Sequence, residues 1–328
     1  MTATVAGLTR PIRVDHPSAG YAAARVARET AHGAGLPDVL AERAAVVAAE
    51  LAGNIDKHSG GGSVFVQPSL AGPGVDVLAA DDGPGMADLD HWLLDGNTTT
   101  ATLGTGLGAV KRMATEFRIT SSPAGGTLAA ARLLAPAPRA GSVGHFRLPR
   151  DGEEHCGDAV ALADVTGSRT AVVADGLGHG PDAAEAADAA LRVFTENPDR
   201  PLPHQLTNMH RALRTTRGAA VALVRIAPRR LEFCGVGNVS GASVGGGPSR
   251  LLLSTPGVVG FTLPSAPVRH LSLADDDVVV LHTDGVGTAW RVPGHAPDLL
   301  LFAADLAHRH RNPRDDAAML ALRADRSA

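Results

Sequence analysis

The sequence predicts an α+β protein of two successive domains. The first has helices on one face of a mixed sheet; the second has two sheets packed together with helices outside. Three observations carry this. At 328 residues the chain is too long for one ordinary core and fits two domains of about 150 residues each. The segment Ala135-Pro136-Ala137-Pro138-Arg139-Ala140-Gly141 alternates Ala and Pro, which favours an extended spacer without helix or ladder hydrogen bonds. Helices and strands mix before this spacer, and strands dominate after it. The predicted domains are therefore residues 1–138 and 139–328.

In the first domain a strand is predicted near 12–15, followed by helices over 19–31 and 37–58, where Ala, Val and Leu recur with helical period. Pro37 suits the first position of the second helix, where a missing N–H costs nothing. Alternation places strands at 63–67 and 75–80, a helix at 107–116, and closing strands at 117–121 and 127–134. The second domain reads as strands at 159–164, 170–174, 219–226, 230–236, 240–244, 277–282 and 317–322. Helices fall near 181–195, 204–215 and 297–310.

Composition narrows the function classes. The chain is 44% hydrophobic and 20% charged, the balance of a globular protein rather than a disordered one. A net charge of −4 without a basic stripe argues against nucleic acid as a partner. No apolar run approaches the 18 residues of a membrane span, and the N-terminus lacks the pattern of a secretory signal. Two cysteines, Cys156 and Cys234, make no disulfide framework and no metal-ligand spacing. A cytoplasmic setting is the expectation.

Four acidic positions in the second domain stand at strand ends beside small residues: Asp158 after Gly157, Asp175-Gly176, Asp284-Gly285, and Asp315-Asp316. A strand ending in Asp-Gly projects a carboxylate from a rigid element, and Gly lets its own carbonyl turn toward the same point. Hard cations such as Mg²⁺ or Mn²⁺ take such oxygens. Any one Asp-Gly is most often a simple turn. Four in order make a carboxylate metal site a possible reading, and spacing alone goes no further.

The wording of these blocks goes further. Gly157-Asp158, Val172-Val173-Ala174-Asp175-Gly176-Leu177-Gly178-His179-Gly180, Thr283-Asp284-Gly285-Val286 and Asp315-Asp316 resemble the SpoIIE/RsbX-like branch of the metal-dependent (PPM) protein phosphatases. Arg217-Gly218-Ala219-Ala220, Gly235-Val236-Gly237-Asn238-Val239 and Pro256-Gly257 before Gly260 support it, and the likeness spans residues 142–325. It implies a PPM-type α-β-β-α sandwich that removes phosphate from serine or threonine with two Mn²⁺ or Mg²⁺ ions. By the same resemblance Asp175 bridges the ions and the Gly176 carbonyl completes one shell. Asp284 and Asp315 hold one metal, Asp158 supports the site, and Asp316 stands behind it. His179, between two glycines, is expected to be structural or exposed ahead of touching phosphate. Cys156 departs from the family, which usually has Gly there.

In the first domain Glu50 and Asn54 are four apart on the second helix and share a face, while Leu51 and Ile55 point elsewhere. Asp81-Asp82-Gly83-Pro84-Gly85-Met86 follows, then Asn97-Thr98-Thr99-Thr100, then Gly104-Thr105-Gly106-Leu107-Gly108 running into a helix. A Gly-rich turn at a helix N-terminus offers bare N–H groups to phosphate. Singly these are ordinary: a wet helix face and tight turns.

Together they resemble the Bergerat-fold (GHKL) ATP-binding family, specifically RsbT-like serine/threonine kinases and anti-sigma factor kinases, over residues 8–134. The residues that carry this are Glu50 to Ile55 with Lys57-His58, Asp81 to Gly85, Gly104 to Gly108, and Lys111-Arg112-Met113. The resemblance implies a Bergerat-type α/β sandwich binding ATP and Mg²⁺. Asp81 reads the adenine amino group, with Gly83 and Gly85 in the same adenine-binding box. Asn54 binds Mg²⁺, Glu50 activates the substrate hydroxyl, and Gly104, Gly106 and Gly108 sit at the phosphates. The combined expectation is a stress-signalling (stressosome-type or partner-switching) regulator. It would add and remove phosphate on a STAS-domain partner, with a sigma factor or regulator as a further candidate partner. The alternatives are a phosphatase whose first domain senses nucleotide without turnover, or one whose first domain binds a partner by contact.

Overall fold

Residues 3–86, 89, 106–123, 125–136, 143–165, 167–290 and 297–323 are described by a computed structural model. They divide into two units. The first unit comprises Thr9–Arg139 with Leu300–Arg309, and the second Met1–Leu8, Ala140–Leu299 and His310–Ala328. The boundary expected at residues 138/139 lies outside the described residues. The unit division also gives each end of the chain to the second unit. Among the described residues no helix is long and apolar enough to cross a membrane.

The chain opens with β1 (Ala3–Val5), a strand of the second unit. In the first unit β2 (Arg10–Val14) leads through α1 (Ala19–Gly33) and α2 (Asp38–His58) to β3 (Gly62–Pro68) and β4 (Gly74–Asp81). Then come α3 (Gly106–Met113), β5 (Glu116–Ser122) and β6 (Gly126–Leu134). The sheet order is β2-β3-β4-β6-β5. Every described ladder is antiparallel, where a mixed sheet was expected. The cause is the helical pair: α1 carries the chain away from β2 and α2 carries it back, so β3 enters where β2 left. Period-two alternation puts Val75, Val77 and Ala79 of β4 on the helix side, packed with Ala23, Ala27, Ala48, Leu51 and Ile55.

Two of the boundaries that differ from expectation have a local cause. Pro37 sits before the helix in an extended conformation (ψ 155°), so the helix starts at Asp38. The third helix stops at Met113 rather than 116, because the Thr115 N–H bonds the Arg132 carbonyl and draws the chain into the sheet.

In the second unit β7 (Val143–Leu148), β8 (Asp158–Val165) and β9 (Ser168–Gly176) precede α4 (Pro181–Glu196) and α5 (Leu202–Ala212), which ends in a 3₁₀ turn at Leu213–Thr215. The strands β10 (Ala219–Ala227), β11 (Arg230–Val236), β12 (Ser240–Val244), β13 (Arg250–Leu252), β14 (Arg269–Ser272) and β15 (Val278–His282) follow. After α6 (Leu299–Asp305), extended by a π turn at Leu306–His310, β16 (Ala317–Arg323) closes the chain. One sheet runs β1-β8-β9-β10-β11-β14 and the other β13-β12-β15-β16-β7. Helices α4 and α5 cover the first sheet, with Ala187, Leu191, Phe194, Leu206 and Met209 against Ala159, Ala161, Val172, Val221 and Leu223. Small side chains on both layers allow close packing: a Cβ at Gly176 would lie 2.0 Å from the Ala183 carbonyl oxygen.

The helix predicted near 297–310 forms, but its residues 300–309 belong to the first unit. There Arg309 donates to Asp82 Oδ1 (2.9 Å) and to the carbonyls of Asp81 (3.2 Å) and Gly125 (2.6 Å), with His308 Nε2 3.1 Å from Asp82 Oδ2.

Candidate functional site

The acidic site of the second unit is built by strand register. Asp158 opens β8 and lies directly opposite Asp175 near the end of β9. Opposed residues on one face bring their Cβ atoms to about 4.5–5.5 Å, and like charges in such pairs repel. Thr283, just past β15, donates its hydroxyl to Asp158 Oδ2 at 2.6 Å. The Asn238 amide donates to Asp284 Oδ2 at 2.7 Å and also hydrogen-bonds Asp175. Asp315 accepts the Asp316 N–H on Oδ1 at 3.0 Å. Gly285 is held tightly here, since a Cβ on it would lie 1.9 Å from the Asp316 carbonyl oxygen.

The electrostatics follow from this crowding. Burial first, then the Asp175 charge, hold Asp158 well above the usual carboxylate range, with the Thr283 hydroxyl opposing. Burial and the Asp284 charge push Asp175 up to about 7. Asp315 is raised by burial and by Asp284. Asp316 differs in kind. Its Oδ1 accepts the Arg150 N–H and its Oδ2 the Gly157 N–H, both at 2.8 Å, so it clamps the approach to β8. Among the described residues no group of three or more His, Cys, Asp or Glu forms a finished metal cage. Two of the carboxylates are turned instead to the amide of Asn238 and the hydroxyl of Thr283. In donor chemistry the set suits a hard divalent cation: several carboxylate oxygens brought together where burial, and then one another's charge, disfavour bare ionised groups.

His179 stands in the 175–180 loop, half exposed, with Nδ1 3.2 Å from Glu153 Oε1. Cys156 is buried and its thiol pushed up, chiefly by burial, so it is inert. Asn238 and Thr283 were quoted within motifs but assigned no role by the sequence. The available signal was an Asn after Gly-Val-Gly at a strand end and a Thr directly before Asp284.

In the first unit Glu50 and Asn54 lie on α2, both half-buried. The Asn54 side-chain nitrogen is buried and has no hydrogen-bond partner among the described residues. Asp81 ends β4, is buried, and accepts the Gly83 N–H on Oδ1 at 2.8 Å. Burial raises its pKa, opposed by the N–H groups of Gly83 and Thr127. Gly85 has φ +69° and fits closely against β5: a Cβ there would lie 2.2 Å from the Ser122 carbonyl oxygen. Gly106 starts α3 with φ +51°, and Gly108 is buried within it. Gly104 and Asn97-Thr98-Thr99-Thr100 lie outside the described residues.

Comparison with known proteins finds a different family in each half of the chain. The family model for the histidine kinase-like ATPase domain matches residues 15–132, and that for stage II sporulation protein E (SpoIIE) matches residues 165–325. The serine/threonine-protein kinase RsbT of Bacillus subtilis (strain 168) is 33% identical over 108 residues, covering 32% of this chain and 81% of that protein. Among solved structures, a chain of the bacterial stressosome, a modular system adapted to control secondary messenger signalling, is 30% identical with a TM-score of 0.49. The match covers 55% of this chain and 97% of that one. RsbX in complex with magnesium is 20% identical with a TM-score of 0.48, covering 54% of this chain and 92% of its own. The chain belongs to the RsbT-like kinase family through its histidine kinase-like ATPase domain, and joins to it a SpoIIE-type (PPM) serine/threonine phosphatase domain.

Proposed function

We propose that the chain is a partner-switching regulator that removes phosphate from a phosphoserine or phosphothreonine on a STAS-domain protein and, through its other domain, adds it from ATP. The observation that carries the phosphatase half is the carboxylate cluster. Asp158 and Asp175 face each other in register, and Asn238 ties Asp175 to Asp284.

Asp175, the Gly176 carbonyl, Asp284 and Asp315 would hold two Mn²⁺ or Mg²⁺ ions, with Asp158 and Asp316 supporting them from behind. Bound there, the ions supply a water of lowered pKa for attack on phosphorus. Thr283 and Asn238 keep the carboxylates aimed by occupying oxygens that would otherwise turn away. In the kinase half Asp81 would accept the adenine amino group and Asn54 would reach the Mg²⁺ of ATP through its amide oxygen. Glu50 would take the proton of the substrate hydroxyl. Phosphorylation adds nearly two negative charges and so makes or breaks an interface. One chain bearing both reactions would set the phosphorylated fraction of its partner.

The test uses a STAS-domain protein in both phosphorylation states. Mn²⁺-dependent phosphate release from the phosphorylated form and ATP-dependent labelling of the other support the full reading. Release without labelling, despite ATP binding, assigns the first domain to nucleotide sensing. Neither release nor labelling contradicts both halves.

A further inference from the structure

Two large apolar side chains stand exposed beside the acidic site. Leu177 is two residues past Asp175 and 39% exposed, and Phe261 is 64% exposed. Both are anchored on the same residue. The Leu177 N–H donates to the Gly218 carbonyl at 3.0 Å, and a Cβ at Gly218 would lie 2.8 Å from Phe261 Cδ2. Gly218 in turn precedes Ala219 and Ala220, which pair with Gly176 and Asp175.

Phe261 is held rigidly. Its own N–H and that of Thr262 both donate to the Val258 carbonyl, at 3.1 and 2.9 Å, closing a turn. Val259 bonds Ala219 in both directions (3.0 and 2.9 Å), which fastens that turn to β10. A rigid exposed aromatic costs little entropy to bury and is typical of a recognition anchor.

Arg217 directly precedes Gly218, the residue on which both are anchored. Asp182 holds its Nη2 at 2.6 Å, and a Cβ on Gly178 would lie 3.1 Å from its Nη1, so the guanidinium rests on the 175–180 loop. About half of it is open to solvent. Nothing in the carboxylate chemistry calls for these three residues. A small phosphate ester would have no use for Leu177 or Phe261, whereas a polypeptide entering the site must cross them.

We propose that Leu177, Arg217 and Phe261 form the rim that receives the chain flanking the phosphorylated residue, selecting segments with a large apolar side chain beside the phosphoserine or phosphothreonine. The two apolar side chains take that neighbour, and Arg217 meets the negative charge of the phosphorylated segment, complementing it where the acidic cluster would repel it. This rests on the phosphatase reading and adds its substrate preference.

The experiment compares two phosphoserine peptides that differ only in having Leu or Gly on either side of the phosphoserine, with the full chain and Mn²⁺. The wild type favours the Leu peptide in kcat/KM by about tenfold, the return for burying part of one Leu side chain. Phe261→Ser, a change at an exposed turn, removes the preference by lowering kcat/KM for the Leu peptide to that for the Gly peptide. Arg217→Gln raises KM for both peptides. Hydrolysis of both peptides at equal rates by the wild type overturns the rim while leaving the phosphatase standing, as does a preference that survives Phe261→Ser. No hydrolysis of either peptide overturns the phosphatase reading itself, and the rim with it.

Discussion

The two units treat buried negative charge in opposite ways. In the first unit Asp76 of β4 is fully buried and faces Arg132 of β6 in register, and the guanidinium grips both carboxylate oxygens at 2.7 and 3.0 Å. In the second unit Asp158 is buried and Asp175 partly so, again in register, yet each faces the other, met by the Thr283 hydroxyl and the Asn238 amide. At an effective dielectric of 20, two such charges about 5 Å apart repel by roughly 3 kcal/mol. A carboxylate supplied with its counter-charge by the chain is a structural element. A set left to repel is a place prepared for a cation from outside.

Breaking either arrangement gives opposite results. The largest predicted effect is in the kinase domain that contains the structural pair. Glu50→Ala lowers phosphate transfer to the partner by about 10²–10⁴-fold, the usual worth of a general base, while ATP binding by calorimetry is retained. Asp76→Ala takes the bidentate carboxylate from the buried Arg132, leaving Glu116 at 3.5 Å as a poorer partner, and costs the first unit about 3–5 kcal/mol, read as a lower urea midpoint for its transition. In the second unit Asn238→Ala weakens Mn²⁺ binding by about 10–100-fold in calorimetry, because Asp284 and Asp175 lose the amide that aims them.

The smallest effect is in pH, and its sign sharpens the contrast. Asp175 has a folded pKa of about 7, above the unfolded carboxylate value of 3.8. Between those values the folded form therefore binds more protons, and its contribution to stability declines as pH rises through that window. Metal-free protein melts at a lower temperature at pH 8 than at pH 5 on this account, and Asp175→Asn flattens the dependence. Mn²⁺ reverses the trend, binding more weakly as pH falls below about 7, where protons compete for the same carboxylate.

The central strands and the helices of both units were legible because their apolar periodicity is strong: β10 and β11 were read to within a residue at each end. The four strands missed altogether, β1, β7, β13 and β14, are the four edges of the two sheets in the second unit. An edge strand has one neighbour and short pairing, so its sequence carries little alternation. The antiparallel character of the first sheet was likewise not written in any strand; it came from the paired helices between β2 and β3. In the site, Asp175 and Asp284 stood out as Asp-Gly steps after apolar strands, whereas Asp158 and Asp315 were singled out by resemblance to a family. The hydrogen bonds from Asn238 and Thr283 join positions 46 and 125 residues apart, and no local pattern encodes such a meeting. The transfer of residues 300–309 to the first unit was equally invisible, since Arg309 and Asp82 are 227 residues apart.

The most direct test of the central claim is to titrate Mn²⁺ into the wild type and Asp175→Asn by calorimetry while following phosphate release from a phosphoserine peptide. The account predicts metal binding and metal-dependent release in the wild type. It predicts a loss of both in the variant, whose metal-free melting temperature at pH 8 is equal to or above that of the wild type. Release that persists in Asp175→Asn, or wild-type protein that binds no divalent ion, would contradict the claim that these mutually repelling carboxylates exist to hold a catalytic metal.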